Sequence, residues 1–113
     1  MEKKERRQLY EGLYILSSTL SDEARTKTLD KITSGITNKG GEIHKTFDQG
    51  RKKMAYPIGK KREGHYFLFY FTSPTKAMKQ LWKEYSLNED LIRFMTLTVE
   101  VVPEKIEFKP LPE

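Results

Sequence analysis

The run His65–Phe71, HYFLFYF, has no side that can be turned to water. Successive side chains of a β-strand point to opposite faces. Phe67, Phe69 and Phe71 therefore make one apolar face, and Tyr66, Leu68 and Tyr70 make another. A strand of that kind belongs in the middle of a sheet, and the rest of the chain must supply its neighbours and its cover.

The neighbours can be read from local pattern. Leu9–Leu16, LYEGLYIL, has the aromatic and β-branched content of a strand. Glu11 marks its wet side, so Tyr10, Gly12, Tyr14 and Leu16 face the core. Ser21 is placed to cap a helix, with Asp22 and Glu23 in the first turn, where the helix dipole favours anions. Ala24, Thr28, Leu29, Ile32 and Ile36 recur at helical spacing. Lys39, Gly40 and Gly41 stop this helix after about five turns. Glu42–Met54 alternates imperfectly and reads as a second strand, broken or bulged near Gly50. Pro57 near its end suits an edge strand. Gly59 and Gly64 bracket a basic loop, Lys60-Lys61-Arg62.

After the aromatic strand, Ser73-Pro74 has the form of a helix start, a capping hydroxyl followed by proline. Ala77, Met78, Leu81, Trp82 and Tyr85 form the expected buried stripe, with Lys76, Lys79, Lys83 and Glu84 outward. Leu87–Asp90 turns the chain into a fourth strand, Leu91–Val102. Met95, Leu97, Val99 and Val101 lie on one face of it, and Thr96, Thr98 and Glu100 on the other.

The order β-α-β-β-α-β specifies an α+β, ferredoxin-like fold, a four-stranded antiparallel sheet with two helices on one face. Right-handed crossovers put strands one and three in the centre and strands two and four at the edges. Residues 1–8 read as a flexible charged arm, residues 9–102 as the domain, and residues 103–113 as an extended, proline-containing tail. With 113 residues the chain is one domain by length. Only 36% of it is hydrophobic and 33% is charged, so the core must be small and rich in aromatics.

Several functions are excluded or unsupported. There is no cysteine, hence no disulfide, cysteine zinc site or thiol nucleophile. No apolar run reaches the roughly 20 residues of a membrane span. MEKKERRQ lacks the apolar core of a secretory signal, so a cytoplasmic protein is expected. His44 and His65 fall on different strands, with no ligand cluster around either, and read as structural. The carboxylates are scattered among cations, as on an ordinary surface. No phosphate-cradling glycine motif precedes a helix. Nothing points to catalysis, a cofactor or a metal.

Charge points to binding. The chain carries a net +5, and six cations fall within Arg51–Arg62. Arg51, Lys52 and Lys53 alternate across a strand, so at least one lies opposite the other two. Lys60, Lys61 and Arg62 are expected at the hairpin tip. Such groups contact phosphate with salt-dependent, mostly sequence-independent affinity, and Tyr56, Tyr66 and Tyr70 could stack on bases. An edge strand guarded against aggregation is the plainer account of lysines there. A small anionic ligand bound by a regulatory or metabolic domain is the alternative from another class. The third-strand signature of RNA-recognition motifs fits poorly. Aligned at Gly64, the leading cation, first aromatic and small residue are missing, and Phe67 falls on the core face.

The chain also resembles a known family. Tyr10-Glu11, Gly40-Gly41-Glu42-Ile43, the block Gly50–Ile58 (GRKKMAYPI), Gly64-His65-Tyr66 and Ile92-Arg93 resemble the bacterial small-subunit ribosomal protein S-six family. The resemblance runs from Leu9 to about Val102. It implies a structural component of the 30S subunit that binds 16S ribosomal RNA in the central platform together with small-subunit protein S-eighteen. By position it assigns Arg51, Lys52, Lys53, Tyr56 and Arg93 to the RNA side, beside the tip cations Lys60, Lys61 and Arg62. It turns the tail and an exposed sheet edge toward the partner protein, with Phe108 as an anchor.

Overall fold

The computed structural model describes the backbone of residues 6–58 and 61–103, and the side chains of all of these except 55–58 and 61–62. Its elements are β1 (Arg7–Ser17), α1 (Asp22–Asn38), β2 (Glu42–Ile58), β3 (Lys61–Pro74), a 3₁₀ turn (Thr75–Ala77), α2 (Met78–Ser86) and β4 (Leu91–Thr98). The strands form one antiparallel sheet in the order β2-β3-β1-β4. This is the predicted ferredoxin-like arrangement, with the doubly apolar strand in the interior.

Both helices cover one face. Ile32 and Ile36 of α1 and Met78, Leu81 and Tyr85 of α2 pack on Tyr10, Tyr14, Leu16, Phe67, Phe69 and Phe71. Each fully buried side chain of this size contributes about 1.5–3 kcal/mol. Among the described residues no helix covers the opposite face, yet Tyr66 is only 2% exposed there. It packs with Ile15 and Met54, and Leu13 and Ile92 flank them.

The ends of α1 are set by local chemistry. Ser21 Oγ accepts the Ala24 N–H at 3.1 Å. At the other end the Gly41 N–H donates to Ile36 O at 2.9 Å and the Gly40 N–H to Thr37 O at 3.1 Å, the paired bonds of a Schellman stop. Gly40 has φ +88°, where a residue without Cβ is at no disadvantage.

Several predicted boundaries move. β1 begins at Arg7, so Arg7 and Gln8 belong to the sheet; residues 1–5 of the predicted arm lie outside the described residues. β2 runs on to Ile58, and β3 begins at Lys61, opposite Ile58. The backbones of Lys61 and Arg62 are therefore strand rather than loop. Ser73 and Pro74 do not start a helix. They stay in β3, in register with Gln8 and Arg7, and Ser73 Oγ donates to Pro74 O. Ladder pairing outweighs the local helix signal, and α2 starts at Met78 without a side-chain cap. Trp82 is not in the buried stripe. It is 40% exposed, and its indole N–H donates to Thr96 Oγ1 at 3.3 Å over the β4 edge.

β4 ends at Thr98, and its apolar face is the uncovered one. A bulge between Ile15 and Leu16 sets Arg93, Met95 and Leu97 opposite Ile15, Leu13 and Glu11. Phe94, Thr96 and Thr98 go to the helix side, opposite Tyr14, Gly12 and Tyr10. Met95 and Leu97 are left 43% and 51% exposed.

Candidate nucleic-acid interface

The basic segment sits on β2 just after a second irregularity. The β2–β3 register shifts between Asp48, opposite Phe67, and Gly50, opposite Tyr66. Gln49 is the extra residue, and Gly50 takes φ +77°. This is the bulge expected near Gly50. Asp48 Oδ1 accepts the Gly50 N–H at 2.8 Å and faces His65 Nε2 at 2.6 Å. The His65 ring lies on Phe67, centroids 4.5 Å apart and planes within 13°. Burial alone would raise the Asp48 carboxyl. The hydrogen bonds from His65 and Gly50, with the charges of His65 and Arg25, outweigh it and hold the group below the ordinary aspartate value.

Past the bulge, Arg51 lies opposite His65, Lys52 opposite Gly64 and Lys53 opposite Glu63. Arg51 and Lys53 thus share the helix side with His65. The Arg51 guanidinium donates to Ser18 O at 3.2 Å. Lys52 takes the open side. Its ammonium stands 5.6 Å from the centre of the Tyr66 ring and donates to Gln49 Oε1 at 3.3 Å. Burial lowers the Lys52 ammonium from its ordinary value. Arg93 joins it on the open side, opposite Ile15. Burial raises the Tyr66 phenol, and the Arg93 charge pulls it the other way. Lys52 and Arg93 therefore flank Tyr66, whose buried hydroxyl has no hydrogen-bond partner among the described residues.

The predicted alternation of Arg51, Lys52 and Lys53 holds, and Arg93 from β4 joins Lys52 across two strands. The side chains of Tyr56, Lys61 and Arg62, the whole of Lys60, and Phe108 lie outside the described residues. Two features are not visible in the residues themselves. One is the apolar open face, Leu13, Met95 and Leu97, hidden because its exposure depends on the β1–β4 bulge. The other is the Asp48–His65 contact, visible only once the register is known. Tyr70, the other open-face tyrosine, donates to Glu11 Oε2 at 2.6 Å and meets Phe47 edge-on. It is 4% exposed, which leaves it no ring face for a base.

Other sites are poor in chemistry. Among the described residues no group of three or more His, Asp or Glu could hold a metal, and no helix is long and apolar enough to cross a membrane. A cavity of about 460 Å³ between α1 and α2 is lined by Lys31, Gly35, Lys39, Glu84, Tyr85 and Asn88, among others. None of the predicted site residues lines it.

Comparison with known proteins agrees with this architecture. The family model described as "Ribosomal protein S6" matches residues 9–98. The small ribosomal subunit protein bS6 of Chlamydia pneumoniae is 62% identical over 113 residues, all of both chains. That of Protochlamydia amoebophila is 60% identical over 105 residues, 93% of this chain and 92% of its own. The crystal structure of 30S ribosomal protein S6 from Thermotoga maritima superposes with a TM-score of 0.78 at 26% identity, covering 83% of this chain and 89% of that one. The chain belongs to the ribosomal protein S6 family, structural and non-enzymatic components of the small subunit of the cytoplasmic bacterial ribosome.

Proposed function

We propose that this chain binds 16S ribosomal RNA in the central platform of the small subunit, and does so beside small-subunit protein S-eighteen. The observation that carries the reading is the placement of two unlike surfaces side by side. Arg51 and Lys53 on one side of the sheet, and Lys52 and Arg93 on the other, make a basic rim at one end of the four-stranded part of the sheet. Next to that rim the open sheet face is apolar, with Leu13, Met95 and Leu97 bordered by Glu11 and Arg93. A basic rim suits a phosphate backbone, where cations fix position more than sequence. An apolar patch with a charged border has the composition of a protein interface.

In this reading Arg51, Lys52, Lys53 and Arg93 are the phosphate contacts. The same reading assigns Tyr56, Lys60, Lys61 and Arg62 to the RNA and Phe108 to the partner protein. The test is binding to a 16S central-domain RNA fragment, with and without the partner, across a salt series. Replacing Arg51, Lys52, Lys53 and Arg93 with Gln should weaken binding and flatten the salt slope by roughly one unit for each phosphate left without its cation. An unchanged affinity and slope would remove these residues from the interface.

A further inference from the structure

The bulge at Gln49 decides which way Arg51, Lys52 and Lys53 point. Before it, Thr46 and Asp48 oppose Phe69 and Phe67, on the helix side. A regular strand continuing from Asp48 would send Gly50, Lys52 and Met54 to the helix side, and Arg51 and Lys53 to the open face, because one residue of slip exchanges the faces. The observed strand does the reverse. Met54 packs on Tyr66 and Ile15 under the open face, Lys52 stands over Tyr66, and Arg51 lies across from His65.

Three features hold the extra residue in place. Gly50 takes the left-handed backbone that the bulge needs. Asp48 Oδ1 accepts the Gly50 N–H at 2.8 Å, closing the kink on itself. His65, from the neighbouring strand, donates Nε2–H to the same oxygen at 2.6 Å, and its ring is seated flat on Phe67 of the core. The kink of an edge strand is thereby tied to the sheet's interior. Asp48 itself is largely exposed, its side chain 58% accessible, so it contributes little to packing.

We propose that Asp48 and His65 are positioning residues for nucleic-acid binding, fixing the bulge that sends Arg51 and Lys53 to one side of the sheet and Lys52 to the other, where Arg93 of β4 also lies. The proposal rests on the RNA-binding reading above, and it makes a prediction of opposite sign to plain electrostatics. Asp48 is an anion beside a basic rim. If its only effect were charge, removing it would strengthen binding of a polyanion. As the anchor of the bulge, its removal must weaken binding.

The experiment compares Asp48→Ala with Asp48→Asn in the full chain, using the 16S central-domain fragment as probe. Both variants remove the same charge, but Asn keeps an oxygen that can accept from Gly50 and His65. Asp48→Ala should weaken binding several-fold and flatten the salt slope by roughly one unit or more. Asp48→Asn should bind as well as the parent or better. Equal strengthening by both variants would overturn the proposal. A second readout is independent of RNA: the nuclear Overhauser contact between the Met54 methyl and the Tyr66 ring should vanish in Asp48→Ala and persist in Asp48→Asn. Its persistence in both would also overturn the proposal. If the Gln variants of Arg51 and Lys53 leave RNA affinity intact while this contact behaves as stated, the RNA reading fails and the bulge anchor stands as a purely structural device.

Discussion

The Tyr14 hydroxyl donates to the Tyr85 hydroxyl at 3.0 Å, joining the central strand β1 to helix α2 inside the core. The two rings meet edge to face with centroids 5.2 Å apart. Tyr14 is fully buried and Tyr85 nearly so, so each oxygen depends on the other for its partner inside the core. Tyr14→Phe would leave the Tyr85 oxygen without its donor and lower stability by about 1–2 kcal/mol. The check is a denaturant titration in which the midpoint falls and the slope is unchanged. The double variant, with Phe at both positions, should lose less than the sum of the singles, because no orphaned hydroxyl remains.

The same pair makes the fold sensitive to alkali. Burial pushes the Tyr85 phenol up to about 12, with the neighbouring Glu84 charge adding to it and the hydrogen bond from Tyr14 opposing it. Burial also raises the Tyr14 phenol well above its ordinary value, aided by Tyr85. In the unfolded chain both lose their proton near the ordinary value of 10. Their contribution is therefore complete below pH 10 and is lost as pH rises from 10 through 12. Denaturation midpoints measured across that window should fall steeply in the parent and less steeply in Tyr14→Phe. An equal slope in both would show that other groups govern alkaline unfolding.

Helix α1 depends on its two ends. Ser21→Ala removes the acceptor for the Ala24 N–H and should cost about 1 kcal/mol. Gly40→Ala places a Cβ only 3.5 Å from Pro74 Cγ, an ordinary contact, so the cost is conformational. At φ +88° it should be roughly 1–2 kcal/mol. The two sites are far apart along the helix, and the double variant should show nearly additive loss in thermal unfolding.

Both ends of α1 are written in the residues that make them, because capping chemistry spans only a few positions. The interior place of β3 is legible for a similar reason, since two apolar faces leave no other site. Ser73-Pro74 misleads because its partners, Gln8 and Arg7, are more than sixty residues away, and pairing with them outweighs the local helix signal. The exposed face of β4 is invisible because one irregularity at Ile15 and Leu16 decides which of its two faces the helices cover. In the basic rim, Gly50 announces a bulge, but the contact that anchors it joins residues 17 apart and depends on strand register.

The open face of β4 gives the last prediction. Leu97 is 51% exposed and lies in register with Glu11, so Leu97→Lys exchanges an apolar surface group for a cation facing a carboxylate. Such a change at an exposed site should alter stability by no more than about 0.5 kcal/mol. If the face receives a protein partner, however, a charge within its apolar patch must be desolvated on docking, at a cost of several kcal/mol that the facing Glu11 carboxylate offsets only in part. If the proposed partner, small-subunit protein S-eighteen, docks on this face, Leu97→Lys should weaken that association by at least about tenfold, a conservative share of that penalty. RNA affinity of the chain alone should hold or rise, because a cation has been added. Calorimetric titration with the purified partner and a parallel RNA titration separate the two effects. Unchanged partner affinity would move the protein interface off this face, whatever the RNA titration showed.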